Sequence, residues 1–565
     1  MNKHTFKVLL SLFTVLTFAV SACGAEEDLY YDEEFQEEEV QEEPVEDMEG
    51  GSTEAVPEST EVESSPGEVV YDFGFTPAEN GFNFENYGDD IQVTNLTADE
   101  LRRMFGDEVC ADINGDECIL TPPAEQWMEQ INGDMAGGHC EGMAVLSLMM
   151  YTGQVSPSDF GGDLASELDI NDEALQREIA YWWATQAVDP TASSVIRGTP
   201  MEILETVRQM DVNGETYTIG IYNEAGEGHA ITPFGVEDKG DGLYAILVYD
   251  NNYPGETREL FIDSRDGSWT YETSINPQVE TDVWSGNADT QTLDLTPTSA
   301  RLDLQSCPFC ESGQASVGKL AMTSAPVNQF FLDGEGRLLI TDENGNRLGY
   351  VDGVIVNEID GASYNKYRML ASGNTPEPIY SVPADLDVTI TIDGTDLTEE
   401  TLTDLVMIGP GYTIGVEYIS LAPGQVDTAY FYPADQMIAY ETESDESPSI
   451  IFGVENPDAD YYFEVYGADM VGGGIITAWL DSAAGDLLIN TEKLTGEGSF
   501  NFYLTRITDE AEEEFYAEDI VLNEGALVYV SYAEWTEANP DGIYFGVDLD
   551  GDGEIDEEYV VDDAE

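Results

Sequence analysis

The residues best suited to covalent chemistry lie at positions 137–143, which read Gly-Gly-His-Cys-Glu-Gly-Met. The apolar run at residues 143–150 is long enough for a buried helix, with Gly153 as its stop. Cys140 then lies in the first helical turn, where the helix dipole and unpaired backbone N–H groups favour a thiolate. Glycines at this point leave room for a substrate backbone to approach. The segment therefore predicts a cysteine that attacks carbonyl carbon.

A nucleophilic cysteine needs a base, and the chain contains only 3 histidines, at positions 4, 139 and 229. His4 belongs to a targeting segment at the N-terminus. His139 is adjacent to Cys140, and neighbouring positions at a helix start point in different directions. His229 is therefore the predicted base.

A predicted hairpin places an orienting group beside His229. This residue opens one apolar segment, residues 244–249 form a second that ends at Asp250, and residues 239–242, Lys-Gly-Asp-Gly, form a strong turn between them. A turn centred on the first two of these four residues puts Asp250 opposite His229. A turn centred one residue later puts Asn252 there. Either side chain can orient an imidazole, which completes a set of nucleophile, base and orienting group.

These three features resemble the papain-like superfamily: a cysteine at a helix start, a His-Ala-apolar strand opening and a Tyr-Asp-Asn strand ending. The double-glycine-cleaving peptidases are the closer likeness, and transglutaminase-like proteins the more distant one. The resemblance covers residues 97–265. It implies Cys140 as nucleophile, His229 as base and Asp250 as orienting group, no cofactor for catalysis, and a peptide, protein or cell-wall substrate.

One position departs from the family pattern. Papain-like enzymes usually carry an oxyanion-hole glutamine six residues before the cysteine, and this chain has Asp134 there. The expected substitutes are Gln130 and Asn132, whose amides can donate to an oxyanion.

The composition is strongly acidic, since 18 Lys plus Arg against 116 Asp plus Glu give a net charge of −98. Nucleic acid and anionic membrane surfaces are poor partners for such a chain. A surface of one sign repels itself unless salt screens it, and at molar salt the Debye length falls to about 3 Å. The composition therefore indicates a halophilic or marine source, with binding of divalent cations as the alternative.

The N-terminus has the pattern of a bacterial lipoprotein signal at residues 1–23. An apolar stretch at residues 8–20 is too short to span a bilayer, and the Val-Ser-Ala-Cys that follows resembles a lipobox. Lipidation at Cys23 would anchor the protein to the extracytoplasmic membrane surface through its lipid alone. The alternative is an ordinary secretory signal. Residues 24–70 are predicted to be an acidic disordered tether.

The other cysteines are predicted to leave Cys140 reduced. In an oxidising compartment, Cys110 and Cys118 can pair around an Asn-Gly turn, and Cys307 can pair with Cys310. Because no strand and helix flank the Cys-Pro-Phe-Cys segment, a local disulfide is expected there rather than a redox site.

The predicted elements divide the chain into several domains. Residues 71–300 have helical signals first and strand signals later, which suits an α+β papain-like domain. Residues 301–325 are a predicted connector. Beyond them, recurring apolar segments of strand length predict one or two all-β sandwich domains, at 326–435 and 436–565.

The C-terminal acidic segment resembles an EF-hand calcium loop. The acidic residues at loop positions one, three, five, seven and nine are Asp548, Asp550, Asp552, Glu554 and Asp556. Position six is glycine, whereas position twelve, which normally supplies a bidentate glutamate, is Tyr559. A calcium site of weak, millimolar-range affinity is one interpretation. A simple Asp/Gly turn in an acidic chain is the other.

Two functions fit these observations. The first is a surface-anchored lipoprotein with cysteine peptidase or acyl-transferase activity, and the second is a catalytically silent adhesion protein that binds through its sandwich domains. A metal site built from the same three residues lacks a further histidine. The enzymatic interpretation predicts the Cys140 sulfur within about 4 Å of a His229 ring nitrogen, with Asp250 or Asn252 at the other nitrogen. A Cys140 that is buried, or that lies more than about 8 Å from His229, would end this interpretation.

Overall fold

The computed structural model describes residues 67–88, 91, 93–115, 117–210, 214–223, 226–310, 326–366, 377–494, 498–508, 511–533, 535, 536 and 542–563. The predicted signal peptide, its Cys23 lipidation site and most of the predicted tether lie outside these residues. Among the described residues, no helix has both the length and the apolar composition that crossing a bilayer requires.

The helices of the described chain begin at local sequence signals. They are α1 (Pro77–Asn80), α2 (Ala98–Phe105), α3 (Pro122–Asp134), α4 (Cys140–Tyr151), α5 (Glu173–Ala184) and α6 (Pro200–Val207). A capping box opens α6, since the side chains of Thr199 and Glu202 each accept from the other's backbone N–H. Helix α4 begins at Cys140, and Gly153 follows its end with a φ of 77°.

Helix α4 is buried from its first residue through Met150. Its close approach to α5 depends on Gly142, because a Cβ at this position would overlap the backbone oxygen of Ile179. The cysteine-bearing helix is therefore held in the interior by backbone packing as well as by its apolar side chains.

The first set of strands follows the helices, apart from four early ones, β1 to β4. They are β1 (Glu68–Asp72), β2 (Cys110–Asn114), β3 (Glu117–Leu120), β4 (Ile196–Arg197), β5 (Tyr217–Tyr222), β6 (Gly228–Gly240), β7 (Leu243–Asp250), β8 (Thr257–Asp263), β9 (Ser268–Thr273), β10 (Asp282–Gly286) and β11 (Leu293–Pro297). Strands β2 and β3 form a hairpin that the Cys110–Cys118 disulfide closes. The others form one antiparallel sheet in the order β10-β9-β8-β7-β6-β5-β11-β4, with β1 paired to β6.

Strand β1 corrects the predicted end of the tether. Residues 68–70, assigned to the tether, are already part of this strand, and Val69 lies opposite Glu237. Tyr71 continues the pairing, and its hydroxyl donates to the Met210 carbonyl oxygen at 3.1 Å. An apolar Val-Val-Tyr run gains more by extending the sheet edge than by remaining in solvent.

The second set of strands builds the C-terminal half. They are β12 (Val327–Asp333), β13 (Arg337–Asp342), β14 (Arg347–Val351), β15 (Val354–Asn357), β16 (Ser363–Asn365), β17 (Ile379–Pro383), β18 (Val388–Asp393), β19 (Thr401–Gly409), β20 (Tyr412–Leu421), β21 (Val426–Tyr432), β22 (Met437–Glu441), β23 (Ser449–Val454), β24 (Asp460–Tyr466), β25 (Met470–Asp481), β26 (Asp486–Leu494), β27 (Gly498–Ile507), β28 (Glu512–Leu522), β29 (Leu527–Ser531), β30 (Ile543–Asp548) and β31 (Glu557–Val561). One sheet has the order β16-β17-β12-β19-β20-β23-β24-β27-β28. The other has the order β15-β14-β13-β18-β21-β22-β25-β26-β29-β30-β31.

Both sheets continue across residue 435, where the sequence suggested a division between two sandwich domains. Strand β20 pairs with β23, and β21 pairs with β22. One hydrophobic cluster extends from Phe330 to Phe545 between the sheets. The proposed limits 326–435 and 436–565 therefore do not separate two sheets, because the backbone ladders join the two segments edge to edge.

The helical layer packs against the nine-stranded sheet of this sandwich. Its apolar cluster includes Val406, Ile408 and Ile451 from that sheet. The described part of the predicted connector, residues 301–310, belongs to the same layer and contains the Cys307–Cys310 disulfide. Phe309, between the two cysteines, is fully buried with its ring 5.4 Å from that of Phe105. This segment is therefore anchored in the core.

Candidate active site

Cys140 is the first residue of α4, directly after the glycine pair. It forms no disulfide and is fully buried. No side chain caps the start of the helix, and the first intrahelical bond there runs from the Met143 N–H to the His139 carbonyl oxygen. The backbone N–H groups of the first turn therefore keep the positive end of the helix dipole beside the Cys140 sulfur.

His229 lies at the start of β6, and its Nε2 atom is 2.8 Å from Oδ1 of Asp250 at the end of β7. The strand register puts Asp250 opposite Ile231, with irregularities between Pro233 and Gly235 and between residues 238 and 240. The imidazole therefore reaches Asp250 diagonally across the hairpin. The pairing at this end of the hairpin is the register of the turn centred one residue later, yet the imidazole contacts Asp250 and not Asn252.

Asp250 is fully buried and accepts four hydrogen bonds. The donors are Nε2 of His229 (2.8 Å), the backbone N–H of Asn252 (2.9 Å), the Tyr271 hydroxyl (2.8 Å) and the Thr273 hydroxyl (3.0 Å). Burial alone would raise the pKa of this carboxyl group, but the charge of His229 and these hydrogen bonds outweigh it and lower the pKa. Asp250 is therefore ionised at neutral pH.

Asn252 does not take the orienting role that one hairpin register gave it. Its side-chain amide donates to the Ser274 carbonyl oxygen at 2.7 Å, and only its backbone N–H contacts Asp250. Tyr271 and Thr273 were not identified from the sequence. They lie two residues apart on β9, so they face the same side of the sheet, but only the sheet order shows that this side faces Asp250.

The pKa of His229 is raised to about 10. Burial lowers it, whereas the charge and hydrogen bond of Asp250, together with the hydrogen bonding and charge of Cys140, raise it by more. Within the described part of the chain, Nδ1 of His229 has no partner of ordinary hydrogen-bond geometry. Since Asp250 occupies Nε2, Nδ1 is the nitrogen left to exchange a proton with the Cys140 sulfur.

The Asn251 side chain ties the cysteine helix to the histidine strand. Its Nδ2 donates to the Cys140 carbonyl oxygen at 2.9 Å and to the Ala230 carbonyl oxygen at 3.2 Å. Because both acceptors belong to site residues or their neighbours, this one amide fixes the separation between α4 and β6. Cys140, Ala144 and Ala230 also form a small apolar cluster at this contact.

A buried ion pair lies next to the nucleophile. Glu141 forms a salt bridge with Arg301, and both side chains are fully buried. The guanidinium group also donates to the Thr185 hydroxyl at 2.6 Å. A lone carboxylate beside Cys140 would disfavour a thiolate, so the cation of Arg301 neutralises that effect.

The residues proposed for the oxyanion hole lie on or near α3. The Asn132 side chain is engaged with Leu96, whose N–H donates to its Oδ1 at 3.0 Å and whose carbonyl oxygen accepts from its Nδ2 at 3.1 Å. Gln130 is half-buried. Burial, followed by the charge of Asp333, raises the pKa of Asp134 well above its ordinary value. These two bonds fix the Asn132 side chain on Leu96 and use one of its two amide N–H groups.

Asn86, which the sequence did not suggest, supplies a buried amide close to Cys140. Its Oδ1 accepts from the backbone N–H of His139 at 2.9 Å, and its own backbone N–H donates to the Asn251 carbonyl oxygen at 2.9 Å. Its Nδ2 is buried and has no hydrogen-bond partner among the described residues. An unpaired buried donor is costly, which marks this atom as one that awaits an acceptor.

His139 plays a structural part in the same region. Its Nδ1 is 2.8 Å from the Tyr87 carbonyl oxygen, and its ring stacks on that of Tyr87 with centroids 4.3 Å apart. Its Nε2 is 2.8 Å from Oδ1 of Asn95. Burial lowers the pKa of His139 to about 4, so it is neutral at pH 7. These contacts agree with the expectation that His139 is not the base for Cys140.

The accessibility expected of a peptidase site is absent in this conformation. Cys140, His229 and Asp250 are each 0% exposed. Residues 82–88 pass along both halves of the site, since Asn86 bonds to the loops that precede Cys140 and follow Asp250. The structure thus encloses the Cys140 thiol with the His229–Asp250 pair, and the burial of Cys140 contradicts the accessibility that the peptidase interpretation required.

The C-terminal acidic loop brings together three of its predicted ligands. One carboxylate oxygen each from Asp548, Asp550 and Asp552 lies within 4.8 Å of the others. Asp556 accepts from the Leu549 N–H at 2.9 Å. The backbone N–H of Glu554 donates to Oδ1 of Asp552 at 2.9 Å. The cluster contains the first three loop ligands, but the structure does not group Glu554 and Asp556 with them.

Tyr559, at the twelfth loop position, serves the sandwich core. Its ring stacks on Phe545 with centroids 5.8 Å apart. It therefore cannot supply the bidentate oxygen ligand that the EF-hand pattern places there.

Comparison of the chain with protein-family models, with curated proteins and with solved structures gives no match. The functional argument therefore depends on the geometry of the site.

Proposed function

We propose that this protein is a surface-anchored lipoprotein with a papain-like cysteine peptidase or acyl-transferase domain, acting on amide bonds of peptides, proteins or cell-wall material. The observation that carries the proposal is the buried His229–Asp250 pair, whose strand β6 packs through Ala230 against the helix start that bears Cys140. A reduced cysteine at a helix start meets an imidazole whose other nitrogen is fixed by a buried carboxylate with four donors. Strongly shifted pKa values of this kind concentrate at functional sites.

The first step would be attack by the Cys140 thiolate. The raised pKa of His229 favours an imidazolium, which stabilises the thiolate beside it. The sulfur bonds to the amide carbonyl carbon, and the carbonyl electron pair moves to oxygen. His229 then gives its Nδ1 proton to the amine that leaves, so that an acyl-enzyme remains. Water or an amine then attacks the acyl carbonyl carbon and gives its proton to His229. The C–S bond breaks, which releases the product and restores the Cys140 thiolate.

The oxyanion would be held by two donors on the closed side of the site. One is the backbone N–H of Cys140 at the helix start, and the other is Nδ2 of Asn86. Two such N–H groups are the usual means of stabilising a tetrahedral intermediate, and removing one side-chain donor costs about 100- to 1,000-fold in rate. This assignment replaces the amides of Gln130 and Asn132 expected from the sequence.

Substrate access would require residues 82–88 to move away from the site. The segment is held at Asn86 and Tyr87 by the contacts with His139 and Asn251 described above. Such opening is a common catalytic step and often sets the turnover rate.

A second candidate function is a catalytically silent binding protein that retains the fold. The observation that favours it is the complete burial of Cys140, together with an acidic residue, Asp134, at the usual oxyanion position. In that case the ion pairs would serve stability alone, and adhesion would depend on the sandwich.

The deciding experiment is labelling of the folded mature chain with a peptide-like electrophile that mimics an amide and traps thiolates. We expect one label, on Cys140, which is lost in Cys140→Ala and in His229→Gln and reduced in Asp250→Asn. Asn86→Ala should retain the label, because alkylation forms no oxyanion, but should lose turnover of an ester or amide substrate.

Iodoacetamide in denaturant serves as the control, because it should modify the same thiol in wild type and in His229→Gln. If the folded wild type remains unlabelled while the denatured chain reacts, the silent binding protein is the correct interpretation. Labelling that is equal in wild type and His229→Gln would show a reactive thiol without a base.

A further inference from the structure

The structure contains a cleft that none of the proposed catalytic residues lines. Its volume is about 1020 Å³. One wall consists of residues from β4, β5, β9, β10 and β11 and their loops, and the other includes Asn357 at the end of β15 and Tyr364 on β16. The cleft therefore lies between the first sheet and the edge of the sandwich. We call it the cationic cleft.

The lining of the cationic cleft is unusually polar. Of its 18 described lining residues, 10 are Ser, Thr, Asn or Gln, 3 are Tyr or Trp, and none is aliphatic. Pockets for drug-like ligands and apolar side chains are lined mainly by hydrophobic groups. A dense set of hydroxyls and amides with a few aromatic rings instead suits a ligand that carries hydrogen-bonding groups on every side, as a saccharide does.

The charge balance of the chain is reversed in this cleft. Acidic residues outnumber basic ones 116 to 18 in the whole chain, whereas the described lining contains Arg197 and Lys366 against Asp294 alone. The Asp294 carboxylate accepts from the Tyr222 hydroxyl at 3.2 Å. Burial lowers the pKa of Lys366. The nearby charge of Glu377 raises this pKa, whereas the charges of Arg337 and Arg197 lower it further. The cleft therefore favours an anionic ligand.

One end of the cleft presents a hydrogen-bond donor that has no acceptor. The Trp269 side chain is 1% exposed, and its Nε1 has no partner among the described residues. A Cβ on Gly286 would lie 2.7 Å from this nitrogen and 2.5 Å from the Thr290 hydroxyl oxygen. The absence of a side chain at Gly286 thus lets the indole N–H and the Thr290 and Thr292 hydroxyls approach its backbone closely. The Tyr364 side chain, 40% exposed, offers a ring for stacking on the other wall.

We propose that the cationic cleft binds an acidic polysaccharide, whose carboxylate or sulfate groups lie between Arg197 and Lys366 and whose hydroxyl groups meet the Trp269 N–H and the surrounding amides. The proposal does not depend on catalysis at Cys140. It gives the protein a binding site for anionic glycans of a matrix or cell surface.

The test is calorimetric titration of the full mature chain at one fixed salt concentration. The probes are a polyuronate oligosaccharide, dextran sulfate of similar length, uncharged dextran and poly-glutamate. We expect the wild type to bind one of the two anionic glycans at least tenfold more tightly than dextran and poly-glutamate. The better glycan distinguishes carboxylate from sulfate recognition.

Matched variants distinguish glycan binding in the cleft from a general effect of the protein's charge. Arg197→Ala/Lys366→Ala should weaken glycan binding at least tenfold, whereas Arg102→Ala/Arg265→Ala, which removes the same charge at two surface ion pairs, should change it less than twofold. Trp269→Phe keeps an aromatic ring and should weaken binding several-fold. Equal weakening in both double variants, equal binding of dextran or poly-glutamate, or no binding of either anionic glycan would overturn the proposal.

Discussion

The helical and first-sheet region, residues 67–310, and the sandwich, residues 326–563, bury different kinds of groups. The sandwich has one large cluster of aliphatic and aromatic side chains between two sheets. The first region buries Cys140, a charged His229–Asp250 pair and the Glu141–Arg301 ion pair beside its apolar clusters. A buried charge is costly unless it is paired, so a chain retains such a set only where the partners are held accurately.

Two buried carboxylates, one in each region, show how charged and hydrogen-bonding partners set the pKa of a carboxyl group. Asp250 has a lowered pKa because a cation and three further donors outweigh its burial. Glu377 in the sandwich has a pKa raised to about 7, since its burial outweighs its contacts with Tyr380 and Arg337. The Arg337 side chain is 29% exposed, so water screens its charge. Burial depth alone therefore does not decide whether a carboxyl group is ionised.

The largest effect should come from breaking the buried ion pair of the first region. Arg301→Met leaves Glu141 buried without a cation, and loss of one partner of a buried pair costs about 3–5 kcal/mol of unfolding free energy. The matched change in the sandwich is Arg347→Met, which breaks the exposed pair with Glu358. Denaturant unfolding should show almost no loss for that variant. Similar losses for both variants would contradict the contrast between the regions.

The stability that each of these two carboxylates governs should be lost as pH rises, but over different pH ranges. The folded-state pKa of His229 is about 10, above its ordinary 6.5, so its contribution is complete below about pH 6.5 and is lost as pH rises through 10. Asp250→Asn should therefore be less stable than wild type at pH 7, with a difference that shrinks towards pH 10.

Glu377 loses its contribution at lower pH than His229 does, because its folded-state pKa of about 7 lies above an ordinary value of 4.5. Its proton uptake favours the folded state below about pH 4.5, and this contribution is lost as pH rises to about 7. The melting temperature of Glu377→Gln, relative to wild type, should therefore rise across that range. Thermal melts of both variants at pH 5, 7 and 10 test this: relative to wild type, Glu377→Gln should rise mainly between pH 5 and 7 and Asp250→Asn mainly between pH 7 and 10. A rise over the same range in both variants would contradict the prediction.

Salt should raise the thermal stability of both regions together, because both have an acidic surface. With a net charge of −98, the chain repels itself when the screening length grows. This length is about 3 Å at 1 M and about 30 Å at 0.01 M ionic strength. The melting temperature of the mature chain should fall by several degrees or more between molar and tens-of-millimolar salt. A constant melting temperature across that range would remove the argument for a halophilic source.

The smallest effect should be calcium binding at the end of the sandwich, if the three clustered carboxylates hold the ion. Calorimetric titration of calcium into the mature chain should give weak, millimolar-range binding, because Tyr559 supplies no bidentate ligand. The double variant Asp550→Asn/Asp552→Asn should lose this heat, and labelling of Cys140 should not change in either protein. Equal heats from both proteins would mean diffuse binding to an acidic surface.

Much of the local structure follows from sequence patterns. The Thr199–Glu202 capping box, the helix that begins at Cys140 and both disulfides within short segments are all present. Each depends on residues close together in the chain, so propensity and spacing suffice to predict it. The positions of Cys140, His229 and Asp250 as one group were also predicted, because a helix start and a hairpin place them.

Other features depend on contacts between distant parts of the chain. The Glu141–Arg301 pair joins residues 160 positions apart, and Asn86 meets His139 across 53. The sequence also placed a division near residue 435, whereas strands from both sides pair in common sheets. Apolar periodicity shows that a strand exists but does not show which strand becomes its neighbour.

The sequence by itself determined which side chains could perform thiol chemistry and which short elements hold them, because the helix start, the turn and the cysteine pairings are local. The tertiary structure decided the ionisation and exposure of those side chains. Bulges in β6 set the diagonal contact between His229 and Asp250, and β9 supplied the hydroxyls that keep Asp250 ionised. Residues 82–88 and the helical layer enclosed Cys140. Charge and access depend on every surrounding group, and those groups come from segments that meet only in the folded chain.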